Sequence, residues 1–347
     1  MTVRAEKINK VRERVTSKRV VATVIVMFAL LVLVAIIAVS TGSERIDFQT
    51  IVKIVVAKLT GQSTDIAPEQ MVIIAEIRLP RVVMAIVVGA ALSVAGAAYQ
   101  ALLRNPLADP YVLGVSTGAA VGAIAATIFA ESLSIGRPLA AFLGAVLTIA
   151  TVILLGQGRR RAPTERLILA GIITNTFLSS VVIFLMTSAS GLRLQSVFSW
   201  LIGDLGSNAR LLPLVSVFIL AGIAVIYFNS RSLNLMMTGE EEALALGVEV
   251  RRVKAMVYIA SSLITGAAVS VSGVIGFVGL VIPHAVRLAS SSDNRLVVPA
   301  SALAGGIFLL IADTIARTII SPRELHVGVV TAFIGAPVFV YLLRRAS

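Results

Sequence analysis

The chain has 347 residues, 57% of them hydrophobic and only 14% charged, with a formal net charge of +12. A soluble domain carries about 25% charge, so this composition, at a mean hydropathy of +0.96, excludes soluble, disordered, collagen-like and coiled-coil chains. The apolar runs are continuous rather than alternating, which excludes a porin-like barrel too.

Cysteine is absent. Disulfides, thiolate metal sites and thiol nucleophiles are therefore ruled out together, with no implication for compartment. The excess of Lys and Arg fits cytoplasmic loops beside anionic headgroups. Nucleic acid is not an expected partner, since no basic-aromatic motif of the known kinds is present.

In chain order, a basic tail over 1–19 holds seven Lys/Arg and leads into an uncharged run at 20–40. That run is too long for a signal-peptide core and reads as an uncleaved first span. Residues 41–80 read as an amphipathic external segment, with Ile51, Ile54, Val55 and Leu59 at helical spacing. Further uncharged runs follow at 82–103, 111–130, 138–158, 167–192, 211–230, 255–286, 296–312 and 325–343.

Parity decides the number of passes. The basic tail and the terminal Arg344 and Arg345 favour one side for both ends, so the count is even. The long run at 255–286 then splits near Ser272–Gly276 into a helix over about 255–272 and a short pass over about 277–291. Glycines and Pro283 make that second pass broken, tolerable only when buried in protein. The expectation is an all-α polytopic membrane protein of about ten helices with cytoplasmic termini. Residues 20–347 form one transmembrane domain, and 229–254 is a cytoplasmic segment. The external segments then hold ten of the 30 Lys/Arg, the bias of the positive-inside rule.

Gly114, Gly118 and Gly122 lie four apart in the third span and read as a helix-packing stripe, as do Gly89, Ser93 and Gly96 in the second. RNPLADP at 104–110 turns between those spans. Pro106 and Pro110 forbid a continuous helix, and Asp109 reads as an N-cap with Pro110 at the first helical position. RRRAPTER at 159–166 is a similar loop with a candidate cap at Thr164. In the segment 229–254, Thr238 and Glu241 have capping-box spacing, EEEALAL forms a short helix and Gly247 a C′ stop. It is either a solvated surface helix or a docking helix for a soluble partner. RLPR at 78–81 opens the second span from outside, where arginines snorkel, and Asp313 with Arg317 has ion-pair spacing. His284 and His326 lack further ligands at metal spacing, so no metal site is expected. Neither a nucleophile-base set nor a phosphate-cradling loop is visible.

In this order, RLPR (78–81), GAALSVAGAAYQALLRNPLADPYVLGVSTGA (89–119), LNLMMTGEEEALALGV (233–248), SGVIGFVGLVIPHAVRL (272–288), ADTIAR (312–317) and ELHVGVVTAFIGAPVFVYLL (324–343) resemble the permeases of bacterial ABC importers for vitamin B12, iron-siderophores and haem. The resemblance implies a homodimer with the pathway between subunits. It also implies two cytoplasmic ABC ATPase subunits that use the ATP, and an extracytoplasmic substrate-binding protein. No cofactor would be bound by this chain. It maps ATPase coupling onto Glu240, Glu241, Glu242, Ala243, Leu244, Leu246 and Gly247. The cytoplasmic gate maps onto Asn105, Pro106 and Leu107 with Pro163, Thr164 and Glu165, and binding-protein docking onto Arg78, Arg81 and Arg317. The membrane would be the cytoplasmic membrane of a bacterium or archaeon.

Two other classes follow from the residues alone. An ion-coupled secondary transporter needs intramembrane acids or oxygen ligands, and the uncharged runs contain no acid, Asp313 standing at an expected span end. An intramembrane enzyme would need an acid-base pair that the spans lack. The motifs do not choose among cargoes; an iron chelate or haem is weakly favoured.

Overall fold

A computed structural model describes residues 16–346 apart from 43, 45, 61–65, 130–135, 157–163, 190, 207–208 and 321–322. The tail over 1–15 and Pro163 lie outside the described residues. The side chains of Thr164 and Glu165 are also outside them.

Among these residues the regular structure is helical. The helices are α1 (Ser17–Ser40), α2 (Phe48–Thr60), α3 (Pro68–Leu103), α4 (Val115–Phe129), α5 (Gly136–Gly156), α6 (Thr164–Ser188) and α7 (Leu192–Ile202). They continue with α8 (Leu212–Phe228), α9 (Ser230–Thr238), α10 (Glu240–Ala245), α11 (Val250–Ser272), α12 (Val278–Ala289), α13 (Asn294–Thr318) and α14 (Val327–Ala346).

Seven helices are long and apolar enough to cross a bilayer, and α8 with α9, bent by 49°, makes an eighth. The short apolar helices α4 and α12 bring the set to ten. At 1.5 Å per residue α4 rises only about 22 Å, short of the roughly 30 Å of hydrocarbon. Irregular backbone at 104–114 leads into it, with Ala108 and Leu113 buried. Only its inner part is shielded by the protein, since Asn105, Pro106 and Leu107 are exposed at the end of the bundle.

The core is built on α3 and α11, each 78% buried over its apolar window, and on α13. By contrast α1 is 6% buried and faces outward. Small residues permit the inner packing. A Cβ on Gly118 would strike Thr148 and one on Gly122 the Ala140 carbonyl of α5. Gly89 and Gly96 meet the carbonyls of Gly305 and Gly279 in the same way.

The split at 255–286 lies where the sequence puts it, α11 ending at Ser272 and α12 starting at Val278. Gly273 turns the chain at φ +68 and Phe277 enters α12 at φ +69. Four expectations need correction. The second span begins at Pro68 rather than near 82, through a π-wound stretch at Ile73–Arg78; charged residues interrupt its apolar run although the helix continues through them. Gly114 is not part of a packing stripe: it takes φ +76 in the turn before α4. Asp109 caps that turn through Tyr111 N–H rather than the helix. Thr238 caps nothing, since its hydroxyl donates back to Leu235 O within α9 and Gly239 stands at the N-cap of α10.

Candidate functional site

At one end of the bundle, α10 projects beside the turn that closes α3. Ala243 is fully buried and anchors the short helix, whereas Leu244 and Leu246 are 47% and 66% exposed. Glu241 and Glu242 are exposed as well. The helix stops in a Schellman arrangement: Gly247 N–H donates to Leu244 O at 3.0 Å and Val248 N–H to Ala243 O at 2.9 Å. Gly247 sits at φ +83 with open space where a Cβ would stand, the left-handed geometry this motif requires. Glu240 accepts from Lys254 Nζ at 2.6 Å and faces Arg104 at 3.7 Å.

The turn itself is polar and self-capped. Arg104 ends α3 in the left-handed region at φ +49. Asn105 Oδ1 accepts from Leu107 N–H at 2.9 Å, and Asn105, Pro106 and Leu107 are all exposed. Asp109 Oδ1 accepts from Tyr111 N–H at 2.8 Å. Burial pushes the Asp109 carboxyl up to about 6 despite that bond. Tyr111 OH donates to Ile275 O at 2.9 Å, tying this turn to the break between α11 and α12. Glu165 and Thr164 open α6, and their side chains lie outside the described residues.

The opposite end gathers Arg81 and Arg317 around one acid, with Arg78 bonded to backbone carbonyls nearby. Asp313 is fully buried in α13, correcting its expected place at a span end. Arg81 Nε donates to Asp313 Oδ1 at 3.0 Å and Arg317 Nε to Oδ2 at 3.1 Å. Arg81 also reaches Glu324 Oε2 at 2.7 Å. Arg78, 5% exposed, donates to Val39 O and Glu44 O, and Arg317 to Ala38 O and Thr41 O. All three guanidinium groups are thus engaged within the chain, and they clamp the end of α1 to α3 and α13. The acid is neutralised by two cations, which leaves it poorly suited to carrying a coupling ion.

A third feature is an apolar cleft of about 510 Å³ between the end of α7, the break at 274–277 and α14. Phe277 and Phe333 line it, and Phe333 is 78% exposed. Sequence reasoning missed α7, the left-handed Arg104 and Phe277, and the Tyr111 link. No local motif announces any of them.

A model of the FecCD transport family matches residues 30–345. The chain belongs to that family. Such a FecCD-family chain is a permease of ABC importers, a multi-pass membrane protein whose family works with an ATPase and a binding protein. It is 44% identical over 274 residues to the cobalamin import system permease protein BtuC of Halobacterium salinarum, covering 79% of this chain and 73% of that one. It is 39% identical over 325 residues to the hemin transport system permease protein HmuU of Yersinia pestis, covering 92% and 94%. A solved metal-chelate type ABC transporter in an inward-facing conformation superposes with a TM-score of 0.81 at 29% identity, covering 94% of this chain and 99% of that one. The motif order and the all-helical, multi-pass architecture read from the sequence agree with this family.

Proposed function

We propose that this permease works as a homodimer that imports an iron chelate, haem or cobalamin across the cytoplasmic membrane of a bacterium or archaeon, with both termini inside. Two ATPase subunits dock at the α10 end, and an extracytoplasmic binding protein delivers cargo at the end that holds Arg81. The observation that carries the reading is α10 itself. A buried Ala243 fixes a helix that turns Leu244 and Leu246 into solvent, an apolar pair outside any membrane-crossing helix, suited to the surface of a soluble partner. The relatives named for cobalamin and hemin support the cargo class.

Asn105, Pro106 and Leu107, with Thr164 and Glu165 of the neighbouring loop, form the cytoplasmic gate in this reading. The apolar cleft beside α14 faces the second copy and forms one wall of the pathway. At the outer mouth Arg78, Arg81 and Arg317 set the docking surface. Carboxylates of the binding protein join Asp313 and Glu324 around Arg81, whose side chain retains 12% exposure, while the more deeply buried Arg78 and Arg317 hold the mouth in shape. Electrostatic complementarity of this kind sets orientation and association rate more than affinity.

The test is reconstitution of the permease with its ATPase and binding protein in vesicles, comparing cobalamin, haem and several ferric siderophores. Binding of one of them by the binding protein, followed by ATP-dependent uptake, is the expected result. Uptake driven by a proton or sodium gradient without ATP would refute the reading.

A further inference from the structure

We infer that Glu240 is the positioning residue that passes movement of α10 to the gate turn, acting through Arg104. The inference rests on the proposed coupling and gate roles and adds the physical link between them. Three elements converge on one carboxylate. Glu240 opens α10, Lys254 belongs to α11, and Arg104 is the last residue before Asn105. The two cations hold it unequally: Lys254 Nζ is 2.6 Å from Glu240 Oε1, and Arg104 Nη2 is 3.7 Å from the same atom.

The backbone at Arg104 supplies the second observation. A non-glycine residue at φ +49 is held in a sparsely populated, unfavourable region. The conformation closes α3 by an Asn105 N–H to Gln100 O bond of 3.2 Å, and it directs the Arg104 side chain toward α10. For an arginine the right-handed conformation is lower in energy, so a charge that holds its side chain biases the turn toward the left-handed form seen here.

An exposed pair at 41% and 43% side-chain exposure stabilises the fold little. That weakness suits a moving contact. Lys254 keeps the carboxylate registered to α11, so displacement of α10 by a bound partner changes the longer Arg104 contact first. Loss of that contact frees Arg104 to leave the left-handed region and shifts Asn105 to Leu107, which follow it directly.

The experiment uses the full permease with its ATPase in inside-out vesicles. The natural absence of cysteine gives a clean background for Leu107→Cys, whose labelling by an impermeant maleimide reports the turn. Labelling is compared with and without ATP. The expected response in this background is a change in rate of about fivefold or more. Added Arg104→Gln is expected to reduce the response below twofold, and Arg104→Lys to retain most of it. Glu240→Gln should act like Arg104→Gln, with responses expressed per ATP hydrolysed in the same vesicles. If Arg104→Gln responds like its parent while ATP is hydrolysed, the link is overturned and the coupling reading stands. If the parent shows no response although its ATPase copurifies, the link is overturned; if its ATPase does not copurify, the coupling reading fails and takes the link with it. Should Arg104→Gln fail to assemble, Glu240→Gln gives the same decision, because its neutral amide still accepts from Lys254.

Discussion

Arg81 reaches Asp313 across 232 positions of sequence, its Nε 3.0 Å from Oδ1 and 3.2 Å from Oδ2. The carboxylate is fully buried and its other partner, Arg317, lies one helical turn away. Hydropathy alone would place none of these charges inside a bundle. Their mutual neutralisation and the carbonyls around Arg78 and Arg317 make the burial tolerable, and they seal α1 against α3 and α13.

Removing one partner should therefore be far more damaging than removing an exposed one. Asp313→Asn leaves two buried guanidinium groups facing each other, a change worth about 3–5 kcal/mol. Glu324→Gln cuts a contact to a side chain that is 54% exposed, worth about 0–1 kcal/mol. Thermal melting of the two purified variants in detergent should separate them by many degrees. Equal melting would mean that Asp313 is not the keystone of this end.

Asp109 gives a pH signature. Its carboxyl is raised from 3.8 to about 6 by burial. The native state therefore binds the proton more tightly than the unfolded chain. The stability this group contributes is complete below about pH 4 and is lost as pH rises through about 6. The gap is worth at most about 3 kcal/mol. Asp109→Asn keeps the acceptor for Tyr111 N–H, so its melting temperature should be flatter between pH 4 and 7 and should equal or exceed the parent's at pH 7. A parallel fall in both proteins would assign the pH dependence elsewhere.

What was legible in the sequence followed from uniform apolarity. The split of 255–286 was readable because a 32-residue uncharged run is too long for one span, and glycines marked the break. The outer extension of α3 was not, since Glu69, Glu76, Arg78 and Arg81 interrupt its hydropathy although the helix continues through them. The helix α7 was missed because Arg193, Gln195 and Ser196 break its apolar run while Val197 and Trp200 are buried. At α10 the Gly247 stop was legible and the cap was not: Thr238 has the right spacing, but Gly239 separates it from the helix and its hydroxyl is spent on α9. The outer arginines Arg78, Arg81 and Arg317 were legible as a group, whereas most of their internal partners depend on contacts distant in sequence.

Orientation is tested by cysteines placed in the natural cysteine-free background. Thr60→Cys at the end of α2 should react with an impermeant thiol reagent only from outside intact cells. Arg252→Cys, on a side chain 72% exposed, should react only after the cytoplasm is opened. Reaction of both from one side would refute cytoplasmic termini and the even count of passes.

Close backbone approach and open space predict opposite outcomes at two glycines. Gly122→Ala forces a Cβ onto the Ala140 carbonyl, a backbone atom that cannot swing aside. Overpacking of that kind costs about 1–3 kcal/mol and should lower the melting temperature of the bundle. Gly276 has nothing within 4 Å of a built Cβ, so Gly276→Ala should melt within a degree or two of the parent. If Gly122→Ala were neutral, α4 and α5 would have to sit further apart than described here.

Gly247 separates backbone strain from packing, because its surroundings are empty and its φ is +83. Any substitution effect there must come from the left-handed conformation that the stop of α10 requires. For an ordinary side chain that conformation costs about 1–2 kcal/mol, for asparagine less, and a β-branched residue tolerates it worst. The expected order of damage is therefore Gly247→Asn mild, Gly247→Ala intermediate and Gly247→Val severe. The damage should be local. The six-residue α10 hangs at the end of the bundle, so the melting temperature of the membrane-crossing helices should hardly move across the series. Copurification of the ATPase and ATP-driven uptake should fall in the same order, since Leu244 and Leu246 are presented by the helix that Gly247 terminates. A steric account predicts another pattern, with loss scaling with side-chain volume, so that asparagine and valine would be equally harmful. Uptake by Gly247→Val equal to that of the parent would remove α10 from the coupling path altogether.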